Sequence, residues 1–183
     1  MNLRWPTALA VSPLDNRLHI LDNGLVLKLT QDNHVIIVAG RSPLCPPNNA
    51  STDQQSGTAA VDSVLEHVEN MAFSPDGDLF LVESDGEGIN RLRYVDSAGR
   101  IHHYAGTQCP CPPTSLSECH CSTAAGSSSI GVPSAVALTP DGVVHVADTG
   151  QACILSAVGA EPIVDRYGEM KVVDASAREV HIR

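Results

Sequence analysis

"FSPDGDLFLVESD", residues 73–85, decides how the rest of the chain is read. Ser-Pro-Asp-Gly is a tight-turn phrase, because proline presets φ at the second turn position and glycine accepts φ > 0. The apolar residues on either side therefore form two antiparallel strands, and the second strand ends on an acid, Glu83. Nearly the same phrase occurs twice more. "LAVSPLDNRLHILDN" covers residues 9–23 and "VALTPDGVVHVADTG" residues 136–150, and their alternating runs end on Asp22 and Asp148.

The units continue alike. "LVLKLTQDNHVIIVAG" (residues 25–40) and "INRLRYVDSAGRIHHYAG" (residues 89–106) each add a strand, a turn and a strand closing on Ala-Gly, and "ACILSAVGAEPIVDRYG" (residues 152–168) is a blurred version. Four strands per unit at a long period is the signature of propeller blades rather than of a sandwich. The innermost strands are the Ala-rich ones, "TALAV", "NMAFS" and "SAVAL", as crowding near an axis requires. "MKVVDASAREVHI" from residue 170 reads as the first hairpin of one more blade. The expected fold is all-β: a partial β-propeller of about three four-stranded antiparallel blades plus the start of a fourth. Its expected parts are blades over residues 1–40, 68–106 and 132–168, an insertion loop over 41–67, a Cys-rich loop over 107–131, and a further blade beginning at 169–183. A blade buries its faces only against neighbours, so this reads as a section of a longer propeller whose end faces are apolar.

Composition agrees. The chain is 43% hydrophobic but only 3% aromatic and 17% charged, which suits strands filled by Val, Ile, Leu and Ala. With a formal net charge of −10 and no Lys/Arg cluster, nucleic acid is not an expected partner. No run of eighteen apolar residues spans a membrane. The opening residues carry no signal-peptide pattern, which taken alone reads as cytoplasmic.

The cysteines read otherwise. Cys109, Cys111, Cys119 and Cys121 lie in "CPCPPTSLSECHC", and Cys45 lies in the preceding inter-blade loop "RSPLCPPNN". Two C-x-C pairs crowd their thiolates for a zinc site, whose pairs are usually C-x₂-C or wider. Disulfides stapling a coreless loop are the better account and imply an oxidising compartment. Closing such a loop contributes about 2 to 3 kcal/mol. Each of Cys109 and Cys111 has Cys119, Cys121 or Cys45 as a possible partner, whereas Cys153 stands on a strand and is expected to stay reduced. Asn49-Ala50-Ser51 is a glycosylation sequon in the same insertion as Cys45.

Asp22, Glu83 and Asp148 end second strands, on the side of the propeller that carries the long insertions. Three carboxylates aimed at an axis are what a metal-dependent lactonase or lyase propeller would need. A residue repeated in the same local slot is more often part of the repeat, so all three are expected to be structural loop caps that accept backbone N–H groups from the loop that follows. His102 and His103 are adjacent on one strand and point to opposite faces. His19 and His145 occupy matching positions, and His120 sits among the cysteines. No nucleophile elbow, H-E-x-x-H motif or phosphate loop is present, so no catalytic, cofactor or metal residue is assigned.

"VENMAFSPDGDLFLVESD" followed by "INRLRYVDSAGRIHHYAG" resembles an NHL repeat. Together with "ILDNGLVLKLTQDNHVIIVAGRSPLC", "PSAVALTPDGVVHVADTG" and the C-x-C loop, it is similar to the NHL propeller of teneurins. The resemblance implies an extracellular section of a very large single-pass plasma-membrane receptor for cell adhesion and signalling, with EGF-like repeats before the propeller and YD repeats after it. It implies a protein recognition module rather than an enzyme. Implied partners are other teneurins, and latrophilin-type adhesion receptors that engage the full ectodomain. In the third unit the N-x-R-I pattern reads "QACI", so Cys153 replaces a basic side chain.

Overall fold

A computed structural model describes residues 3–41, 57–85, 89–107, 130–150, 153–157, 170–173 and 179–181. These residues fold as three antiparallel sheets. The first contains β1 (Pro6–Val11), β2 (Leu18–Asp22), β3 (Leu25–Leu29) and β4 (Val35–Ala39), in that order. After β5 (Thr58–Ala59) and a 3-10 turn at Ala60–Asp62, the second sheet contains β6 (Val68–Phe73), β7 (Leu79–Ser84), β8 (Asn90–Val95) and β9 (Arg100–Thr107). The third contains β10 (Pro133–Leu138), β11 (Val144–Asp148), β12 (Cys153–Ala157), β13 (Met170–Val173) and β14 (Glu179–His181).

The repeat is exact at the level of the hydrogen-bond ladder. Pro6, Val68 and Pro133 open the inner strands opposite Asp22, Glu83 and Asp148, and the register slips at the next residue in every case. Each following turn is closed by the Ser or Thr before proline. Ser74 and Thr139 bond their amides to Asp78 and Val143 carbonyls (2.8 and 3.0 Å), and their hydroxyls accept those residues' amides. In the first unit the same closure runs from Ser12 to Arg17, one residue further along, with Asn16 at φ 53° absorbing the extra length. The Ala-Gly endings have a steric cause. Gly40 and Gly106 take φ of 88° and 93°, and a Cβ at either would lie 2.3 Å from the carbonyl oxygen of Gly24 or Asn90.

The sheets stack face to face around two cores. Leu21, Val26 and Ala39 of the first sheet meet Met71, Leu79, Leu81, Val95 and Ile101 of the second, with Ala60 and Leu65 of the linking segment filled in between. The opposite face of the second sheet, Phe80, Val82, Leu92, Tyr94 and Tyr104, meets Val136, Val144, Val146 and Leu155. β7 is consequently buried at every residue, which explains why its first four residues, "LFLV", read as a continuous apolar run rather than an alternation. Truncating a ring such as Phe80 at this junction costs about 3 to 5 kcal/mol. On the outer face of the first sheet Leu9 and Val11 stand 65% and 57% exposed, as a blade without a neighbour on that side requires.

Two features differ from the sequence reading. Residues 58–59 of the expected insertion loop form a strand, β5, along the outer edge of β9. Residues 170–173, expected to open a further blade, instead pair with β12 as the fourth strand of the third sheet, and β14 adds a fifth. The physical reason is the edge of β12: its unpaired backbone groups need a ladder, and Lys171-Val172-Val173 supplies one within the same sheet.

Candidate functional site

The three acids occupy one ladder position and end in two different environments. Asp22 accepts the Arg4 amide at 3.0 Å to both carboxylate oxygens and the Trp5 amide as well. Asp148 accepts the Gly131 and Val132 amides at 2.6 and 2.9 Å. These amides stand immediately before the first strand of the same unit, so the donors come from the entering segment and not from the loop that follows. Pro6 and Pro133 explain the need: proline after each donor pair donates nothing to the ladder, and the aspartate collects the two N–H groups that precede it.

Glu83 takes a different partner set. It is fully buried, and its oxygens receive Arg91 Nε on one side and Arg93 Nε (3.1 Å) and Nη2 on the other. Arg91 is 2% exposed, and its Nη2 also lies 3.5 Å from Glu66. Arg93 Nη2 donates to the Val64 carbonyl at 2.8 Å. Burial pushes the Arg93 guanidinium down, and the Glu83 charge beside it works in the other direction. Here the entering segment, residues 64–66, is held by side chains rather than by its own amides. His67, with φ of 48°, makes the bend that proline makes elsewhere, and its carbonyl accepts the Ser84 amide at 3.0 Å. Neither arginine was assigned from the sequence. The signal was present in "NRLRYV", where residues two apart on a strand share a face and both face the acid of the neighbouring strand.

The histidines separate as their alternation requires. His102 bonds Asp96 at 2.8 Å and stacks on Tyr94, with ring centroids 4.9 Å apart. Although partial burial opposes it, the Asp96 carboxyl is lowered by the Arg100 amide, His102 and the Ala98 amide. His103 lies on the other side of the strand and is lowered by burial and by the nearby Arg91 charge; among the described residues its Nδ1 has no hydrogen-bond partner. His19 and His145 do occupy equivalent register positions, opposite Ala10 and Ala137. His19 packs edge-on against Phe73 of the second sheet at 4.8 Å, and His145 Nδ1 lies 2.7 Å from Ser156 Oγ. The turns at the opposite end of the second sheet bring Asp78 near Asp76 and Asp96, and burial, then those charges, raises its carboxyl.

Among the described residues no three His, Cys, Asp or Glu side chains are grouped to hold a metal ion. Cys45, Asn49, Cys109, Cys111, Cys119, Cys121 and His120 lie outside the described residues. Cys153 opens β12 directly opposite Asp148, the position Arg91 takes opposite Glu83. No helix among the described residues is long and apolar enough to cross a membrane.

Comparison with known proteins identifies the repeat: residues 1–158 match the family model described as the teneurin NHL domain. The chain belongs to the teneurin family. It is 36% identical over its whole length to teneurin-m of Drosophila melanogaster, of which it covers 7%. It is 35% identical to human teneurin-1 over 84% of the chain, covering 6% of that protein. This teneurin NHL segment therefore spans under a tenth of the length of the curated relatives it matches. Among solved structures, a structural genomics protein of unknown function from Bacteroides thetaiotaomicron aligns with a TM-score of 0.55 at 16% identity, over 81% of this chain and 34% of that one. That likeness shows the fold alone. All three sheets of the teneurin segment use the acid of the second strand to hold the segment that enters the sheet.

Proposed function

We propose that this chain is an extracellular section of a teneurin-type cell-adhesion and signalling receptor, in which the NHL propeller acts as a protein recognition module and not as an enzyme. The observation that carries this reading is the teneurin NHL match over residues 1–158, joined to relatives 35% and 36% identical. The side chains of Asp22, Glu83 and Asp148 add support, because each is committed to amides or guanidinium groups that an axial metal would have to displace. Recognition is assigned to the side bearing the long insertions, since irregular loops on a rigid scaffold carry most binding surfaces. The partners are other teneurins, and latrophilin-type receptors through the full ectodomain. Asn49 is the candidate glycosylation site, and Cys45, Cys109, Cys111, Cys119 and Cys121 are the candidate disulfide cysteines, with at least one bridge within residues 109–121 and one of the five left without a partner among them.

Beads coated with the secreted chain test the reading against cells displaying a teneurin ectodomain. Adhesion above that of beads coated with an unrelated propeller is expected, and equal adhesion overturns recognition by this segment. Non-reducing peptide mapping of the same secreted protein checks the cysteines. A linked peptide pair from residues 109–121 is expected, and recovery of all five as free thiols, or stoichiometric zinc, sends the protein back to a metal-binding assignment.

A further inference from the structure

The junction between the first and second sheets encloses two histidine rings, one from each side. His19, on β2, shares a strand face with Leu21 and meets Phe73 of β6 edge-on at 4.8 Å. Its Nδ1 donates to the Arg17 carbonyl at 3.1 Å, which leaves Nε2 as the atom that a second proton would occupy. His103, on β9, stands directly opposite Arg93 in the ladder and shares a face with Ile101, which packs toward the first sheet. Its ring hydrogen-bonds the Gly106 backbone, so a second proton would fall on Nδ1, which is buried. Among the described residues neither ring is hydrogen-bonded to a carboxylate.

The charges beside these rings oppose a second proton. Around His103 stand Arg91 and Arg93 of β8, Glu83 of β7, which both guanidinium groups already share, and Glu66, 3.5 Å from Arg91. β5 adds Thr58 and Ala59, and the first sheet presents Leu21, Val26 and Ala39, none of which carries a charge. A charged His103 would therefore set three cations against the two carboxylates of Glu83 and Glu66. Around His19 stand Lys28, its ladder partner, and Asp15, bonded to Lys28 at 2.6 Å, while β6 offers only Met71 and Phe73. Burial lowers both rings, helped by the Arg91 and Arg93 charges at His103 and by the Lys28 charge at His19. The second junction is built differently. Its core is the aromatic cluster of Phe80, Tyr94 and Tyr104, and His102, stacked on Tyr94, has the Asp96 carboxylate at 2.8 Å to receive a charged ring.

From this asymmetry we infer that the first junction is an acid-sensitive joint: in mild acid His19 and His103 take up protons, the contact between the first and second sheets loosens, and the second junction stays closed. The segment entering the second sheet loosens with it. Arg93 holds the Val64 carbonyl and Arg91 faces Glu66, and a charged His103 competes for the carboxylates that keep both guanidinium groups in place. The unfolded chain takes each proton at the ordinary histidine value of 6.5, and the folded junction does so only below it. Stability from the two rings is thus full above that value, falls as pH drops through it, and is wholly lost below the folded values. The joint goes beyond recognition and stands whether or not the insertion side binds a partner.

Hydrogen exchange of the chain at about pH 7.5 and about pH 5, with labelling times scaled to the intrinsic amide rate, tests this. Peptides spanning β2 and β5 are expected to lose protection about tenfold in acid, while those spanning β11 keep theirs. His19→Gln and His103→Gln are each expected to shrink the loss, and the double variant to abolish it. His102→Gln, outside the joint, is expected to leave it unchanged. The wild-type chain by itself overturns the joint if β2 and β5 stay protected in acid or if β11 loses as much as they do. A loss that both single variants leave at full size, or that the double variant retains, overturns it as well.

Discussion

In the first and third sheets the acid ending the second strand is an aspartate, paired across the ladder with Leu25 or Cys153; in the second it is a glutamate paired with Arg91. The two arrangements secure the same thing, the segment entering the sheet, by different chemistry. Aspartate stays close to its own backbone and accepts two amides from residues that precede a proline. Glutamate is one methylene longer and reaches two guanidinium groups, and Arg93 carries the hold onward to the Val64 carbonyl. The first arrangement leaves little at risk if broken, since water can reach a freed amide near the surface. The second encloses three charges that depend on one another. Breaking a buried ion group by removing one member is far costlier than exchanging the whole group for apolar residues.

That difference sets the order of effects. Glu83→Gln leaves Arg91 and Arg93 buried with only the partly exposed Glu66, 3.5 Å from Arg91, as counter-charge, and is expected to lower stability by about 3 to 5 kcal/mol, read as a fall in the urea midpoint at constant slope. A loss as small as that from an exposed ion pair would mean that the two arrangements are equivalent after all. Rebuilding the second sheet in the image of the first sharpens the test. Glu83→Asp combined with Arg91→Leu and Arg93→Leu puts Leu25 and Leu27 chemistry at the matching ladder positions, and the triple variant is expected to be more stable than Glu83→Gln alone. A triple variant that is weaker than the single one would show that the guanidinium bridge to Val64 is irreplaceable.

Smaller effects belong to the aspartates. Asp148→Asn keeps one acceptor oxygen for the Gly131 and Val132 amides and turns an N–H toward the other, at a cost of about 1 to 2 kcal/mol by the same denaturant measurement. The smallest lies in the turn between β6 and β7. Burial and the neighbouring charges of Asp96 and Asp76 raise Asp78, so the folded chain holds its proton over a pH window in which the unfolded chain has lost it. Stability from this group therefore falls as pH rises through that window, and the penalty is complete above it. Asp78→Asn is expected to raise stability at neutral pH by about a few tenths of a kcal/mol after solvent screening, with the gain vanishing on acidification. A gain that persists in acid would point to packing rather than charge.

Much of this architecture was legible from residue order. Turn phrases carry their own stereochemistry, so Ser74-Pro75-Asp76-Gly77 and its two relatives located the hairpins that join β6 to β7, β1 to β2 and β10 to β11. The position shared by Asp22, Glu83 and Asp148 was legible for the same reason, because a repeated local sequence produces a repeated ladder. What each acid holds was not. Asp22 and Asp148 meet amides 16 to 18 residues upstream. Arg93 reaches a carbonyl 29 residues away, and β13 completes a sheet across a sequence gap that no local pattern spans. Local sequence determined where the chain turns and extends, since φ and side-chain alternation act over two to four residues. Only the tertiary structure decided which charges were buried together and which sheet took the last strands, because those depend on long-range packing that brings distant backbone groups within 3 Å of one another.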